Sequence, residues 1–332
     1  MNARRHVLAL AAAMACGLAW PAPAKKRQRI YMILYRGESA LEQGFRRYFS
    51  ANGIDVDFIV RNVAMDLAKV PGLVREARLL GVDLVYTSGT ALTQAVAGLA
   101  DSIDRRRHLT DIPLVFAIAD DPVAAGLAGP HQTSGRNITG TSHQVPITRQ
   151  LDAMLAYRRF AHIAILYNAA DPVASDNARA LREATRSAGI ALVERTVPLD
   201  EAGNPIAGAI GEQVAALARQ RAPLLYIGND ALLVGQRHAI TDAAIAGGLP
   251  VFSPSETMLR DGNALFGLVA SLDQVGRLAA YKAALILQRE RAPNTIPIET
   301  LVRFSYLVNL DVAKQIQLFP PMKVIDVAEV LR

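Results

Sequence analysis

The chain holds one cysteine, Cys16, among its 332 residues. An internal disulfide is therefore excluded, and a thiolate metal cluster with it, so stability has to come from a hydrophobic core. Enzymatic signatures are missing as well. No strand is followed by GxGxxG, there is no GxxxxGK[ST], HExxH or GxSxG, and the six histidines are scattered without ligand spacing. We expect no catalytic residue, no metal and no cofactor. A large charge of one sign is absent too. The formal net charge of +6 is spread along the chain, and the run Arg105, Arg106, Arg107, His108 reads as a solvated connection between a helix and a strand, so nucleic-acid binding is not expected. Beyond the leader no stretch reaches the roughly 20 apolar residues that a bilayer requires.

What is present begins with that leader. Arg4 and Arg5 precede an uncharged apolar run from Val7 to Trp20, followed by Ala22, Pro23 and Ala24. This is the order of a secretory signal peptide, with cleavage expected after Ala24 and a periplasmic chain starting at Lys25. Removing the leader lowers the formal charge to +4. A membrane anchor is disfavoured by the shortness of the run. Lipidation at Cys16 is the other alternative, disfavoured because the box Ala13, Met14, Ala15 lacks a leucine at its start.

Hydrophobic residues make up 51% of the chain, arranged as short apolar runs alternating with amphipathic stretches. That is the pattern of βαβ units around parallel sheets. Strands are predicted at Ile30–Tyr35, Val56–Val60, Asp83–Thr87, Leu114–Ala119, Ile163–Tyr167, Ala191–Thr196, Leu224–Ile227, Pro250–Phe252 and Leu265–Val269. Helices are predicted between them, the first opened by a capping box of Ser39 and Glu42; others include Asp66–Leu80, Ala231–Ala246 and Asp273–Gln288. The segment Gly135–Pro146 has little periodicity and reads as a crossing between lobes. Further crossings are expected after Val269 and near Ala292–Pro297. The fold class is α/β, two doubly wound parallel-sheet lobes joined by a three-crossing hinge. Lobe 1 takes residues 25–145 plus about 271–296, and lobe 2 takes 146–270 plus about 297–332.

In open parallel sheets ligands bind beyond the carboxyl ends of the strands. The loops there hold Arg36 after the first strand, Ser88, Gly89 and Thr90 after the third, and Asp120 after the fourth. In the second half they hold Asn168, Asn229 with Asp230, and Ser255 with Glu256. Ser88, Gly89 and Thr90 lead into a helix, where amides and hydroxyls can hold a carboxylate; plain helix capping by Ser88 or Thr90 is an equal alternative. Asp230 is placed to meet an ammonium, and capping of the next helix explains it as well. Asp120 and Asp121 do not form an acid/base dyad, since adjacent side chains point apart.

The segments DIPLVFAIADDPVAAGL and GRNITGT between Asp111 and Thr141, with YTSGT at Tyr86–Thr90, AILYN at Ala164–Asn168 and PVFSPSETMLRDG at Pro250–Gly262, resemble the substrate-binding components of ABC transporters. The likeness is to the tryptophan- and tyrosine-binding-like family with a type I periplasmic-binding-protein fold, and it extends over nearly the whole mature chain. It implies a carboxylate-binding loop at Ser88, Gly89 and Thr90, a loop aspartate at Asp230 and a hydroxyl-bearing position at Ser255. The family commonly has Asp and Tyr soon after the glycine matching Gly267, whereas Ala270, Ser271 and Leu272 stand here. An aromatic amino acid, another amino acid and a different carboxylate therefore all remain candidate ligands. The resemblance implies hinge closure on a small polar molecule and docking of the closed monomer on an ABC permease in the inner membrane. A periplasmic sensor acting on a histidine kinase fits the same residues. An exported α/β enzyme lacks a visible site, and a repressor's effector domain is disfavoured by the leader.

Overall fold

The computed structural model describes residues 27–119, 121–129 and 133–332. The expected leader, Cys16 and Asp120 lie outside the described residues. Five strands form the first sheet: β1 (Gln28–Leu34), β2 (Val56–Asn62), β3 (Leu84–Ser88), β4 (Leu114–Ala119) and β5 (Ile138–Ser142). Their order is β2-β1-β3-β4-β5, with every pair parallel. The second sheet holds β6 (His162–Tyr167), β7 (Ala191–Thr196), β8 (Leu225–Tyr226), β9 (Val251–Phe252), β10 (Phe266–Val269), β11 (Ser305–Asn309) and β12 (Glu329–Leu331). Its order is β12-β11-β10-β9-β8-β6-β7, and only the β10–β11 pair in it is antiparallel. The first five strands of each sheet thus follow one winding rule.

Near-continuous apolar strands result from burial on both faces. In β1, Tyr31 and Ile33 enter one core, while Ile30, Met32 and Leu34 enter the other. Each fully buried side chain of this size contributes about 1.5–3 kcal/mol. The helix Ala40–Ala51 starts at the predicted box: Ser39 N donates to Glu42 Oε2 (2.8 Å), and Leu41 N donates to Ser39 Oγ (3.2 Å). It buries Leu41, Phe45 and Phe49, one turn apart.

Helix Leu272–Leu287 follows β10 in the chain yet packs on the first sheet, where Val275, Ala279 and Ala283 share a core with Phe45. The contact is glycine to backbone. A Cβ on Gly44 would lie 2.2 Å from Asp273 O, and one on Gly276 would lie 2.0 Å from Leu41 O. The chain therefore crosses between sheets three times: after β5, after β10 and before β11. Lys282, on this helix and buried, donates to Pro297 O and to Glu299 Oε1 (3.0 Å), fixing the third crossing to the first sheet. Ile298 lies in a core of that sheet and Phe304 packs against the other.

All nine predicted strands are present. Three more were not anticipated. β5 occupies much of Gly135–Pro146, so the first crossing shrinks to the residues after Ser142. β11 and β12 are short strands that extend the second sheet beyond β10, with β12 at its edge. The predicted helix Asp66–Leu80 is a 3-10 turn at Leu67–Lys69 followed by helix Val70–Leu80, and Ala231–Ala246 is two helices, Ala231–Gly235 and Arg237–Ala246. One irregularity stands out in β4, where Ile118 has φ +53° and the register with β5 shifts between Phe116 and Ala119. A left-handed residue with a Cβ costs about 1–2 kcal/mol.

Candidate binding cleft

Sheet order reverses direction between β1 and β3 and again between β6 and β8, so each sheet has a switch point where two connections diverge and leave a crevice. The predicted residues fall at these two places and on their flanks. At the first, Arg36 is exposed and its guanidinium lies 5.7 Å from the Tyr35 ring centroid. Ser88 ends β3 and is buried. Gly89 is the N-cap of helix Thr90–Ala97, with φ +94°, a conformation side chains rarely adopt. A glycine cap has no side chain to accept from the first amides of the helix. No side-chain bond caps this helix, and a Cβ at Gly89 would meet nothing within 4 Å.

The second switch point is tied together by Asp230. Its Oδ1 accepts from Leu232 N (2.8 Å) and Leu233 N (3.1 Å), capping helix Ala231–Gly235, and its Oδ2 accepts from Asn168 N (3.1 Å). The capping alternative for Asp230 is thus realised, with a bond across the crevice added to it. Burial pushes this carboxyl above the ordinary aspartate range, the three amides pull it back in part, and nearby Asp171 adds to the rise. Asn168 is buried and turns its own loop, accepting from Ala170 N at 3.1 Å. Asn229 is partly buried beside Asp230.

On the flank, Ser255 is buried at the N-cap of helix Glu256–Arg260, makes no capping bond with its side chain, and donates its own amide to Ser253 Oγ (3.2 Å). Glu256 is engaged structurally. It pairs with Arg260 (2.7 Å) and accepts from Leu272 N (2.8 Å), joining the second sheet's loop to the second crossing. Near the hinge, a cavity of about 260 Å³ lies between Pro122 and Val123 on one side and Ser142, Gln144, Glu299 and Thr300 on the other.

Sequence reasoning missed a buried polar network next to Gly228, in the loop that leads to Asp230. Tyr226 donates to Gln150 Oε1 (2.9 Å) and accepts from Asn177 Nδ2 (3.0 Å) beneath Gly228, where a Cβ would lie 2.6 Å from Asn177 Nδ2. No spacing links these three residues, so only the fold brings them together. Among the described residues no group of His, Cys, Asp and Glu could hold a metal ion, and no helix is long and apolar enough to cross a membrane.

Comparison with known proteins agrees with the fold. The family described as "ABC transporter substrate binding protein" matches residues 40–330. A tyrosine-binding protein of Clostridioides difficile (strain R20291) is 22% identical over 273 residues, 82% of this chain and 73% of that protein. Among solved structures, a ligand-free, open substrate-binding protein with adhesive properties from Clostridium difficile aligns with TM-score 0.74 and 20% identity, covering 92% of this chain and 99% of the other. An ABC domain in complex with L-Trp from Streptococcus pneumonia aligns with TM-score 0.74 and 18% identity over 92% and 100% of the two chains. These structures share the two-lobed type I periplasmic-binding fold with this chain.

Proposed function

The chain belongs to the ABC transporter substrate-binding protein family, and from that premise we propose that it is the periplasmic component of an importer, closing two lobes on an amino acid or related carboxylate. The observation that carries the reading is the repeated winding. Two sheets each end in a polar switch-point crevice, and three crossings join them into a hinge. In this reading lobe 1 runs to residue 145 and resumes from about 271 to 304, somewhat beyond Pro297 because Ile298 and Phe304 pack on the first sheet; lobe 2 takes the remainder.

The ligand's carboxylate meets Ser88, Thr90 and the N-terminus of helix Thr90–Ala97, where the helix dipole favours negative charge. Its ammonium meets Asp230, whose oxygens keep acceptor capacity beyond their three amides. Arg36, Asn168, Asn229 and Ser255 flank these two ends. Asp120 belongs to the same set by its place after β4. Tyrosine and L-Trp, named for two relatives, head the candidates. Closure follows because the ligand touches both lobes only in the closed state, so its differential affinity shifts the population. The closed form then docks on a permease, as a monomer.

A thermal-shift panel on the chain from Lys25 tests this, with aromatic and aliphatic amino acids, small carboxylates and sugars as ligands. A micromolar binder at millimolar concentration adds about 4 kcal/mol of stability. A shift confined to amino acids is the expected result. No shift with any member would refute the reading.

A further inference from the structure

Strand β4 breaks its own alternation just before it ends. Leu114 and Phe116 lie in the core shared with helices Val70–Leu80 and Thr90–Ala97, while Val115 and Ala117 lie in the core shared with helices Ala40–Ala51 and Leu272–Leu287. Strict period-2 alternation sends Ile118 to the first core and Ala119 to the second. The reverse is observed: Ile118 packs against the core of Val115 and Ala117, and Ala119 lies with Phe116. A bulge makes the inversion. Phe116 pairs with Gly140 and Ala119 with Ser142, so β4 uses one residue more than β5 between those pairs. The register before the bulge is pinned, because a Cβ on Gly140 would lie 2.4 Å from the Phe116 ring.

The bulged residue stands at the first crevice. Ser88 is in register with Ala117, and Gly89 N donates to Ala117 O (3.0 Å), which puts Ile118 level with the Gly89–Thr90 loop on the adjacent strand. Every other residue of β4 is buried, and Ile118 alone is partly exposed. Its backbone is left-handed at φ +53°, a conformation that glycine or asparagine adopts with far less steric conflict than a β-branched residue. Packing against the core of Val115 and Ala117 accounts for the covered part of the side chain, and the rest of it stays exposed at the end of the strand. Strain held at a ligand crevice fits a side chain that is needed there.

We propose that Ile118 is a specificity-determining residue: the bulge presents its sec-butyl group as an apolar wall beside the polar Ser88–Thr90 loop, against which the side chain of a bound amino acid packs. This deepens the function proposed above and rests on it. Two variants of the chain from Lys25 separate the wall from the backbone. Ile118→Val keeps the branched residue and removes one methylene, and Ile118→Gly removes both wall and strain. Calorimetric titration with L-tryptophan, L-tyrosine, L-phenylalanine and L-leucine gives affinities, and circular dichroism checks the fold. The glycine variant is expected to stay folded and bind the preferred amino acid at least about tenfold more weakly, and the valine variant to change the tryptophan-to-leucine affinity ratio by about tenfold, the effect of one methylene in an apolar pocket. Should the glycine variant unfold, the valine ratio decides. Affinities and ratios that match the parent chain in the folded variants overturn the inference alone. A parent chain that binds none of the four overturns the amino-acid reading and the inference together.

Discussion

Replacing Asp230 by alanine removes three acceptor contacts at once, and the ligand-free protein should register each of them. Loss of the cap on Leu232 N and Leu233 N costs about 0.5–2 kcal/mol, as for other aspartate caps. Asn168 N, buried and bonded only to Oδ2 in this crevice, is left without that partner, at about 1–3 kcal/mol. Together these give about 1.5–5 kcal/mol, which for a unit of this size lowers the melting temperature by roughly 3–20 °C. Asp230→Asn keeps an acceptor for the helix amides but turns a donor toward Asn168 N, so about half the loss is expected. Burial raises the pKa of Asp230, so the folded state holds its proton more tightly than the unfolded state. The parent protein therefore gains on Asp230→Asn as pH falls toward the ordinary aspartate range near 4. Urea titrations followed by circular dichroism at several pH values measure all of this. An Asp230→Ala midpoint equal to the parent's would refute the assignment of Asp230 as a lock between the two loops.

Two more outcomes follow from packing and ionisation. Gly276→Ala places a methyl 2.0 Å from Leu41 O; the helices have to separate, and the overpacking loss of about 1–3 kcal/mol outweighs the gain in helix propensity of about 1 kcal/mol. A raised midpoint in urea would show that the helix contact is looser than described. In alkali, Tyr86 and Tyr226 are fully buried and burial pushes both hydroxyls well up. Their contribution is complete below pH 10 and is lost as pH rises above it, at about 1.4 kcal/mol per pH unit each. A flat dependence of stability between pH 10 and 11 would contradict their burial.

Much of this molecule was legible because apolar runs have a length and a period. All nine strands read from the sequence are present, and the capping box at Ser39 and Glu42 closes as the residue types require. β5 escaped because its residues Ile138, Thr139, Gly140, Thr141 and Ser142 are mostly small or polar; they are buried by neighbours rather than by their own hydrophobicity. β11 and β12 are short strands added one after the other beyond β10, with β12 at the edge. The position of the candidate loops followed from topology alone. What each side chain does there followed only in part: the cap of Asp230 on helix Ala231–Gly235 is local and was one of two readings, whereas the Asp230 bond to Asn168 N, the bond of Glu256 to Leu272 N and the Tyr226 network depend on contacts between distant residues. Ile118 carried no signal, because a bulge is a property of two strands together.

The return of helix Leu272–Leu287 to the first sheet bears on how the chain is built during synthesis. Gln28 Nε2 donates to Leu287 O across 259 residues (2.6 Å), and Val275, Ala279 and Ala283 fill a core with Ile30, Phe45, Tyr86 and Val115 from the first part of the chain. Synthesis proceeds from the N-terminus, but the first sheet cannot close one of its two faces until nearly the whole polypeptide has emerged. The strands of the second sheet from β6 to β10 form one unbroken segment and face no such wait. Contacts of such separation are slow to form, so the part made first waits on a helix made late, and a chain truncated after β10 would keep five strands whose second face has helix Ala40–Ala51 but not helix Leu272–Leu287.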